Sequence, residues 1–251
     1  GFLRADSSQW TPNLVSDNHY VNPTRTPQDG YHLTEDLADN AIRYIIDQHN
    51  SAITKPFFAY FALGAMHTPH HVPKEWSDRY RGRFDDGWER MRERIYRRQL
   101  DLGVIPPGTA LTPFPTWMPS WNSYGHEERA LLARMHEVYA GYLSHADAQI
   151  GRILDTLEKT GQLDDTIVIV ASDNGASAEC GSTGSYNGHG FIHGFPDSMK
   201  SNLPYLEDWG GFRGYYHYTW GWALAGNTPL RLWKRYTWLG GTRTPLVVHW
   251  P

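Results

Sequence analysis

The chain has 251 residues, with 23 Lys and Arg against 27 Asp and Glu for a formal net charge of −4, and it is 40% hydrophobic, 14% aromatic and 20% charged. That length holds one large α/β domain or two small ones and that composition can bury a core, so a disordered tail is excluded. Nucleic acid and an anionic membrane surface are excluded as general partners, because both demand a basic face and no block of positive charge exists here. The longest apolar stretch without charge, Pro56 to Met66, is far below the about 20 residues of a membrane helix, and no membrane span is expected. A single cysteine, Cys180, excludes an internal disulfide framework and a Cys-based zinc site while leaving the compartment open. The chain opens with Gly-Phe-Leu-Arg and stops at His249-Trp250-Pro251 after a strand-like run. Both ends read as cut, and the expectation is an internal piece of a longer polypeptide.

The first thirty residues mix Pro, Asn, Asp and Thr without a period and read as irregular. A helix is expected from Thr34 as N-cap to about Asn50, with Leu37, Ala41, Ile45 and Gln48 on one stripe. Phe57 to Leu63 reads as a strand buried on both faces, followed by the loop His67-Thr68-Pro69-His70-His71-Val72-Pro73. Residues 74 to 103, dense in Arg, Asp and Glu, predict one or two surface helices with a solvated charged face. Five prolines make Pro106 to Pro119 a loop. A long helix is predicted over about Glu127 to Lys159, where Leu131, Met135, Val138, Tyr142, Ala146, Ile150, Ile153 and Leu157 recur at helical spacing and Gly161 ends it. Thr166 to Ala171 is the clearest buried strand, leaving through Ser172-Asp173-Asn174-Gly175. From Ala176 to Asn227 the chain is rich in Gly, Tyr and Trp without a period, a long ordered excursion. Leu230 to Leu239 reads as strand-like or irregular, Gly240-Gly241 as a turn, and Pro245 to Trp250 as a last strand. The alternation of helix and strand predicts an α/β fold with a mostly parallel central sheet flanked by helices and sites at the strand ends.

Three features could carry chemistry, each with an ordinary alternative. Asp173-Asn174 offers hard oxygen ligands suited to Ca²⁺ or Mg²⁺, yet Asp-Asn-Gly after a strand is also plain turn chemistry. His67, His70 and His71 resemble part of a transition-metal site, yet neighbouring histidines on a Pro-bounded loop cannot easily point at one ion. Lys234 between Trp233 and Arg235 could cradle an anion or be a surface charge.

Taken in order, these segments resemble the formylglycine-dependent sulfatases of the alkaline phosphatase superfamily, in particular the arylsulfatase-like branch. The resemblance runs through Gly30 to Leu37, the strand Lys55 to Tyr60, the pattern His67-x-Pro69-x-x-x-Pro73, the helix end Ala148 to Leu154, Asp165 to Val168 with Ser172 to Gly175, and Leu232-Trp233-Lys234 followed by Gly240 to Pro245. It implies an alkaline phosphatase-like fold. It further implies that Asp173 and Asn174 are two of four protein ligands to a divalent cation, Ca²⁺ first and Mg²⁺ second. His67 would donate a proton to the leaving oxygen or contact sulfate, and Lys234 would hold the sulfate, roles that suit a reaction gathering negative charge on the leaving group. Arg243 is expected to be structural.

The departures matter as much. The family's nucleophile is an aldehyde made from Cys or Ser in Cys/Ser-x-Pro/Ala-x-Arg, and neither Cys180-Gly181-Ser182-Thr183-Gly184 nor Val21-Asn22-Pro23-Thr24-Arg25 fits. The Asp-Asp pair that completes the metal site and the Gly-Lys-Trp-His-like loop are not found either. The expectation is therefore residues 1–251 as the central to C-terminal part of a sulfatase catalytic domain, without the nucleophile region and the C-terminal subdomain and inactive alone. The substrate implied is a small-molecule or saccharide sulfate ester. Rival readings are a phosphonate monoester or phosphodiester hydrolase of the same superfamily, and a carbohydrate-binding module built on the aromatic stretch Tyr205 to Trp222.

Overall fold

A computed structural model describes residues 8–52 and 55–250. The opening Gly1 to Arg4 and the final Pro251, read above as cut ends, lie outside the described residues. The lead-in contains a small antiparallel hairpin, β1 (Leu14–Ser16) with β2 (His19–Val21). Helix α1 (Leu33–Ala52) follows, with Glu35 and Asp36 at the positive end of its dipole. Its start lies earlier than the sequence suggested. Thr34 sits inside the helix, and the cap is His32, whose ring Nδ1 accepts the Thr34 N–H at 3.2 Å and whose backbone oxygen accepts from Glu35 and Asp36.

The charged stretch forms α2 (Lys74–Asp78) and α3 (Gly87–Asp101). One face of α3 is not solvated. Trp88 and Arg92 are buried, and Arg92 donates to Thr112 Oγ1 at 2.6 Å and to the Pro229 and Leu230 carbonyl oxygens at 3.3 Å, tying the Pro106–Pro119 loop to the Pro229-Leu230 segment. That apolar setting lowers the Arg92 guanidinium to about 10 by desolvation.

The longest element, α4 (His126–Lys159), spans 34 residues. Glu127 and Glu128 complement its N-terminus, and the Glu128 carboxylate accepts the Gly125 N–H at 2.8 Å. Gly161, at φ +69°, adopts the left-handed conformation that ends it. Leu131, Met135, Val138 and Tyr142 are buried as their spacing predicts, and so are all the residues from Leu131 to Val138. Its stretch from Leu131 to Val138 runs through the core, and α1 and α2 pack on the helix.

Strand β3 (Val168–Ala171) comes next, then α5 (Gly188–Ile192), α6 (Met199–Asn202), α7 (Trp220–Gly226), α8 (Leu239–Thr242) and β4 (Leu246–His249). The aromatic excursion supplies the centre of the core. Trp222 packs edge-to-face on Trp88 and Trp121 at 5.5 and 5.6 Å, stacks on His136 at 4.4 Å, and gives its indole N–H to the Leu132 carbonyl at 2.7 Å. Gly221 makes this possible, since a Cβ there would fall 2.2 Å from the Trp88 ring.

The expected parallel central sheet is not formed by the described residues, whose two sheets are the antiparallel pairs β1–β2 and β3–β4. Phe57 to Leu63 belongs to no strand, and Phe58 is 92% exposed. The clearest buried strand of the sequence is also open, with Ile169 63% and Val170 44% exposed and their partners Val248 and Val247 at 51% and 61%. Apolar content records what a strand is suited to touch, whereas exposure depends on which neighbours are there. No helix among the described residues is long and apolar enough to cross a membrane.

Candidate active site

Two loops bring His67 and Lys234 together although 167 residues separate them. The His67 loop is fixed at its base, where Thr68 Oγ1 donates to Tyr216 O at 2.8 Å and His70 N to the same oxygen at 3.0 Å. Lys234 is fixed from the other side. Leu232 and Arg235, at φ +60° and +83°, hold left-handed backbone on either side of Trp233-Lys234, and the Lys234 N–H donates to Ala176 O at 2.9 Å. Such conformations in non-glycine residues persist only where the surroundings impose them. The result is a contact of 3.0 Å between Lys234 Nζ and His67 Nε2.

This contact fixes the proton on His67. An ammonium only donates, so Nε2 is the acceptor. Nδ1, at 2.9 Å from the Thr68 carbonyl oxygen, carries the hydrogen. A carboxylate completes the row, with Glu179 Oε1 at 3.2 Å from Lys234 Nζ. Burial pushes the Glu179 carboxyl up, but the Lys234 ammonium outweighs it and holds the group below its ordinary value. The Glu179 N–H and the Ser177 hydroxyl both point at Nε2 of the buried His217, at 3.3 Å.

Asp173 and Asn174 stand at the end of β3 in a turn where Ser172 Oγ donates to Asn174 O and Asn174 Nδ2 to Gly175 O, both at 3.0 Å. The turn is docked on the Gly240-Gly241 segment, with Gly175 N donating to Gly241 O at 3.1 Å. Backbone meets backbone there so closely that a Cβ on Gly175 would lie 1.7 Å from Gly240 O. Ala176, two residues past Asn174, accepts the Lys234 N–H, so the backbones carrying Asp173-Asn174 and Lys234 are joined. The Asp173 carboxylate is exposed and Asn174 half-buried. Consecutive hard oxygens of this type suit Ca²⁺ or Mg²⁺ in chemistry, but not in number, since Ca²⁺ takes six to eight oxygens. Among the described residues no group of three or more His, Cys, Asp or Glu side chains could hold an ion.

The neighbouring histidines diverge from His67. His71 Nε2 meets Gly214 O at 2.8 Å, while the His70 ring lies among Tyr139, His217 and Tyr218. Both are buried parts of the core. The Cys180 thiol, pushed up to about 12 mainly by burial, is an inert core group. Arg243 is exposed and engages through its backbone N–H to Leu239 O. Tyr216, Tyr218 and Trp222 are buried, which removes them as a sugar-stacking platform.

Glu179 was not singled out in the sequence. A lone acidic residue on an aperiodic segment carries no local signal for its partner, and only the docking of the two loops supplies one.

The Lys234 ammonium thus lies between an imidazole and a carboxylate, on backbone joined to the strand-end turn that carries Asp173 and Asn174. The family described as Sulfatase matches residues 4–251, and the chain belongs to it. Membership brings the alkaline-phosphatase-like α/β class with it. Over 248 residues the chain is 36% identical to an uncharacterized sulfatase of Schizosaccharomyces pombe (strain 972), covering 96% of this chain and 42% of that protein. It is 29% identical over 199 residues to an arylsulfatase of Klebsiella aerogenes, covering 78% of this chain and 41% of that protein. Among solved structures, Ps i-CgsB in complex with k-i-k-neocarrahexaose matches with a TM-score of 0.49 and 18% identity, over 95% of this chain and 31% of that one. The chain thus spans less than half the length of these curated relatives.

Proposed function

We propose that this chain supplies the anion-binding and proton-donating side of a sulfate ester hydrolase. The observation that carries the reading is the 3.0 Å contact between Lys234 Nζ and His67 Nε2. Lys234 holds a sulfate oxygen and offsets charge in the transition state. His67 protonates the leaving oxygen as the S–O bond to it breaks and the nucleophile's oxygen bonds to sulfur. His67 donates from its imidazolium form, in which Nε2–H gives its hydrogen to the leaving oxygen and the ring returns to the neutral Nδ1–H tautomer whose Nε2 accepts from Lys234, so that the Lys234 ammonium keeps its charge for the sulfate.

Asp173 and Asn174 would hold a divalent cation, Ca²⁺ or Mg²⁺, together with ligands from outside this chain. When bound, such a cation supplies Lewis-acid stabilisation of negative charge. The nucleophile, a formylglycine, belongs to another part of the complete protein, of which residues 1–251 are the central to C-terminal part of the catalytic domain. Segments outside the chain complete its sheet as a mostly parallel one. Support comes from coverage of less than half of the relatives and from the uncovered faces of β3 and β4. The substrate is a small-molecule or saccharide sulfate ester.

The test uses the complete protein and sulfate esters whose leaving groups differ in basicity. General acid assistance is worth about 10² to 10⁴ and matters most for a basic leaving group. His67→Ala should therefore depress kcat/KM for an alkyl or sugar sulfate far more than for a nitrophenyl sulfate, and Lys234→Ala should depress both. Equal losses from His67→Ala across leaving groups would reject the acid role. Faster turnover of phosphonate monoesters than of any sulfate ester would favour the phosphonate reading.

A further inference from the structure

Lys234 has a four-carbon stem and three N–H donors, and nothing in its own backbone decides where the ammonium points. Its position is set by two partners. His67 Nε2 takes one donor at 3.0 Å and Glu179 Oε1 a second at 3.2 Å, which leaves the third for an anion. Glu179 is itself mounted on fixed structure. Its N–H is directed at the buried His217, whose backbone pairs with Ser185, and the segment leading to it is held by Lys234 N–H to Ala176 O and by Asn227 Oδ1 accepting the Ala176 N–H at 2.9 Å. The same Asn227 donates from Nδ2 to Leu232 O at 3.0 Å, so one side chain spans both segments. Glu179 and Lys234 therefore sit on a single clamped unit, and the His67 loop docks against it.

Geometry of this kind separates the pair from an ordinary surface ion pair, which fixes little and contributes little. Here the carboxylate, 3.2 Å from Nζ, is a second partner for the ammonium beside the imidazole at 3.0 Å. Without it, the stem is free to turn to water or to move along the His67 ring, and the remaining N–H loses its direction. We propose that Glu179 is the positioning residue of this site, holding the Lys234 ammonium against His67 so that its third N–H meets the sulfate. The proposal rests on the reading of Lys234 as the sulfate-holding group. Glu179 touches neither sulfate nor the leaving group in this scheme, and it acts only through Lys234.

The experiment is a double-mutant cycle in the complete protein, with Glu179→Ala, Glu179→Gln, Lys234→Ala and the two double variants, read on nitrophenyl sulfate. Misplacing a binding group by about 1 Å can cost about 10² in rate, so Glu179→Ala should lower kcat/KM by about 10- to 100-fold and weaken competitive inhibition by inorganic sulfate. Glu179→Gln, whose amide oxygen still accepts an N–H, should lose less. In the Lys234→Ala background either change should cost no more than about 2-fold, because its only route of action is gone. A structural role would give the same loss in both backgrounds, and that outcome overturns the proposal, as does a Glu179→Ala enzyme within about 2-fold of wild type.

The second readout does not depend on turnover. The ¹⁵N shift of His67 Nε2 reports whether a donor is present, with Lys234→Ala as the reference for its removal. Glu179→Ala should move the resonance at least half-way to that reference, and an unmoved resonance refutes the positioning role. If Lys234→Ala turns over sulfate esters as wild type does, the sulfate-binding reading fails, and the His67 resonance still decides whether Glu179 places Lys234.

Discussion

The ribbon of β3 and β4 is more apolar in sequence than the core stretch of α4, which contains Arg134, His136 and Glu137, yet it is the ribbon that is open. Leu131 to Val138 are all buried, whereas Ile169, Val170, Leu246, Val247 and Val248 are exposed. The core closes on itself because its partners lie within the chain: Trp88 from α3, Trp121 from the loop before α4 and Trp222 from α7 meet one another, and His136 stacks on Trp222. Among the described residues, β3 and β4 pair only with each other, as antiparallel strands. Burial is thus a property of the set of elements present, and a run of Val and Ile reports only the demand for cover. The candidate site lies on loops at the join of these regions, with the His67 loop and Lys234 tied to the aromatic segments and Asp173-Asn174 leading out of the ribbon.

The largest contrast should appear on acidification, because the core side hides titratable groups and the ribbon does not. Burial holds His71 at about 4 and His136 and His217 at about 3, against an ordinary 6.5, with His217 also influenced by Glu179, His67 and Lys234. These are depressed values. The unfolded chain therefore takes up protons first, and stability present above pH 6.5 is lost as pH falls from 6.5 toward 4. At pH 5 each of the three costs about 2 kcal/mol on the scale of about 1.4 kcal/mol per pH unit of differential protonation. Denaturant unfolding at pH 7, 6 and 5 should show this steep decline. A flat profile would mean that water or new partners reach these rings.

Next in size is the loss of the residue at the centre of the core. Trp222→Ala removes a buried indole, its hydrogen bond to Leu132 O and the face on which His136 stacks. Substitutions of this kind cost about 3 to 5 kcal/mol, and a drop in the denaturation midpoint at unchanged m-value would report it. A cost below about 1 kcal/mol would show that the excursion from Ala176 to Asn227 is not the keystone described.

Legibility divides along the same line. The long helix was readable because its apolar spacing and Gly161 are local signals, and α4 runs over His126–Lys159 as that pattern required. Loop character at Pro106–Pro119 was readable for the same reason. The cap of α1 was not, because Thr34 has the right chemistry but its own N–H is already capped by the ring of His32, which starts the helix before it. Arg92 defeated the reading of a solvated face, since one residue in a charged run can turn inward when carbonyl oxygens from two distant loops await it. At the site, motif order alone nominated His67, Asp173, Asn174 and Lys234. It offered no reason for the contact between His67 and Lys234 or for Glu179, as both depend on docked loops without periodicity.

The smallest expected effect sharpens the comparison most. Val170 faces Val247 across the β3–β4 pair and is 44% exposed. Threonine has nearly the shape of valine and a comparable strand preference, so Val170→Thr leaves the backbone ladder intact and changes only a methyl to a hydroxyl. On a face open to water that hydroxyl is solvated, and surface changes of this sort stay within about 0.5 kcal/mol. Under the proposal that segments outside this chain complete the sheet, the same hydroxyl is enclosed in the complete protein without a partner, at a cost of about 1 to 3 kcal/mol. Chemical denaturation of the complete protein with and without Val170→Thr therefore separates two pictures of one strand. A cost of about 1 to 2 kcal/mol, below that of Trp222→Ala but outside the surface range, is the expected result and would make the ribbon a second core awaiting its neighbours. A change under about 0.5 kcal/mol would leave the ribbon in water and remove the support that its exposure lends to a larger parallel sheet.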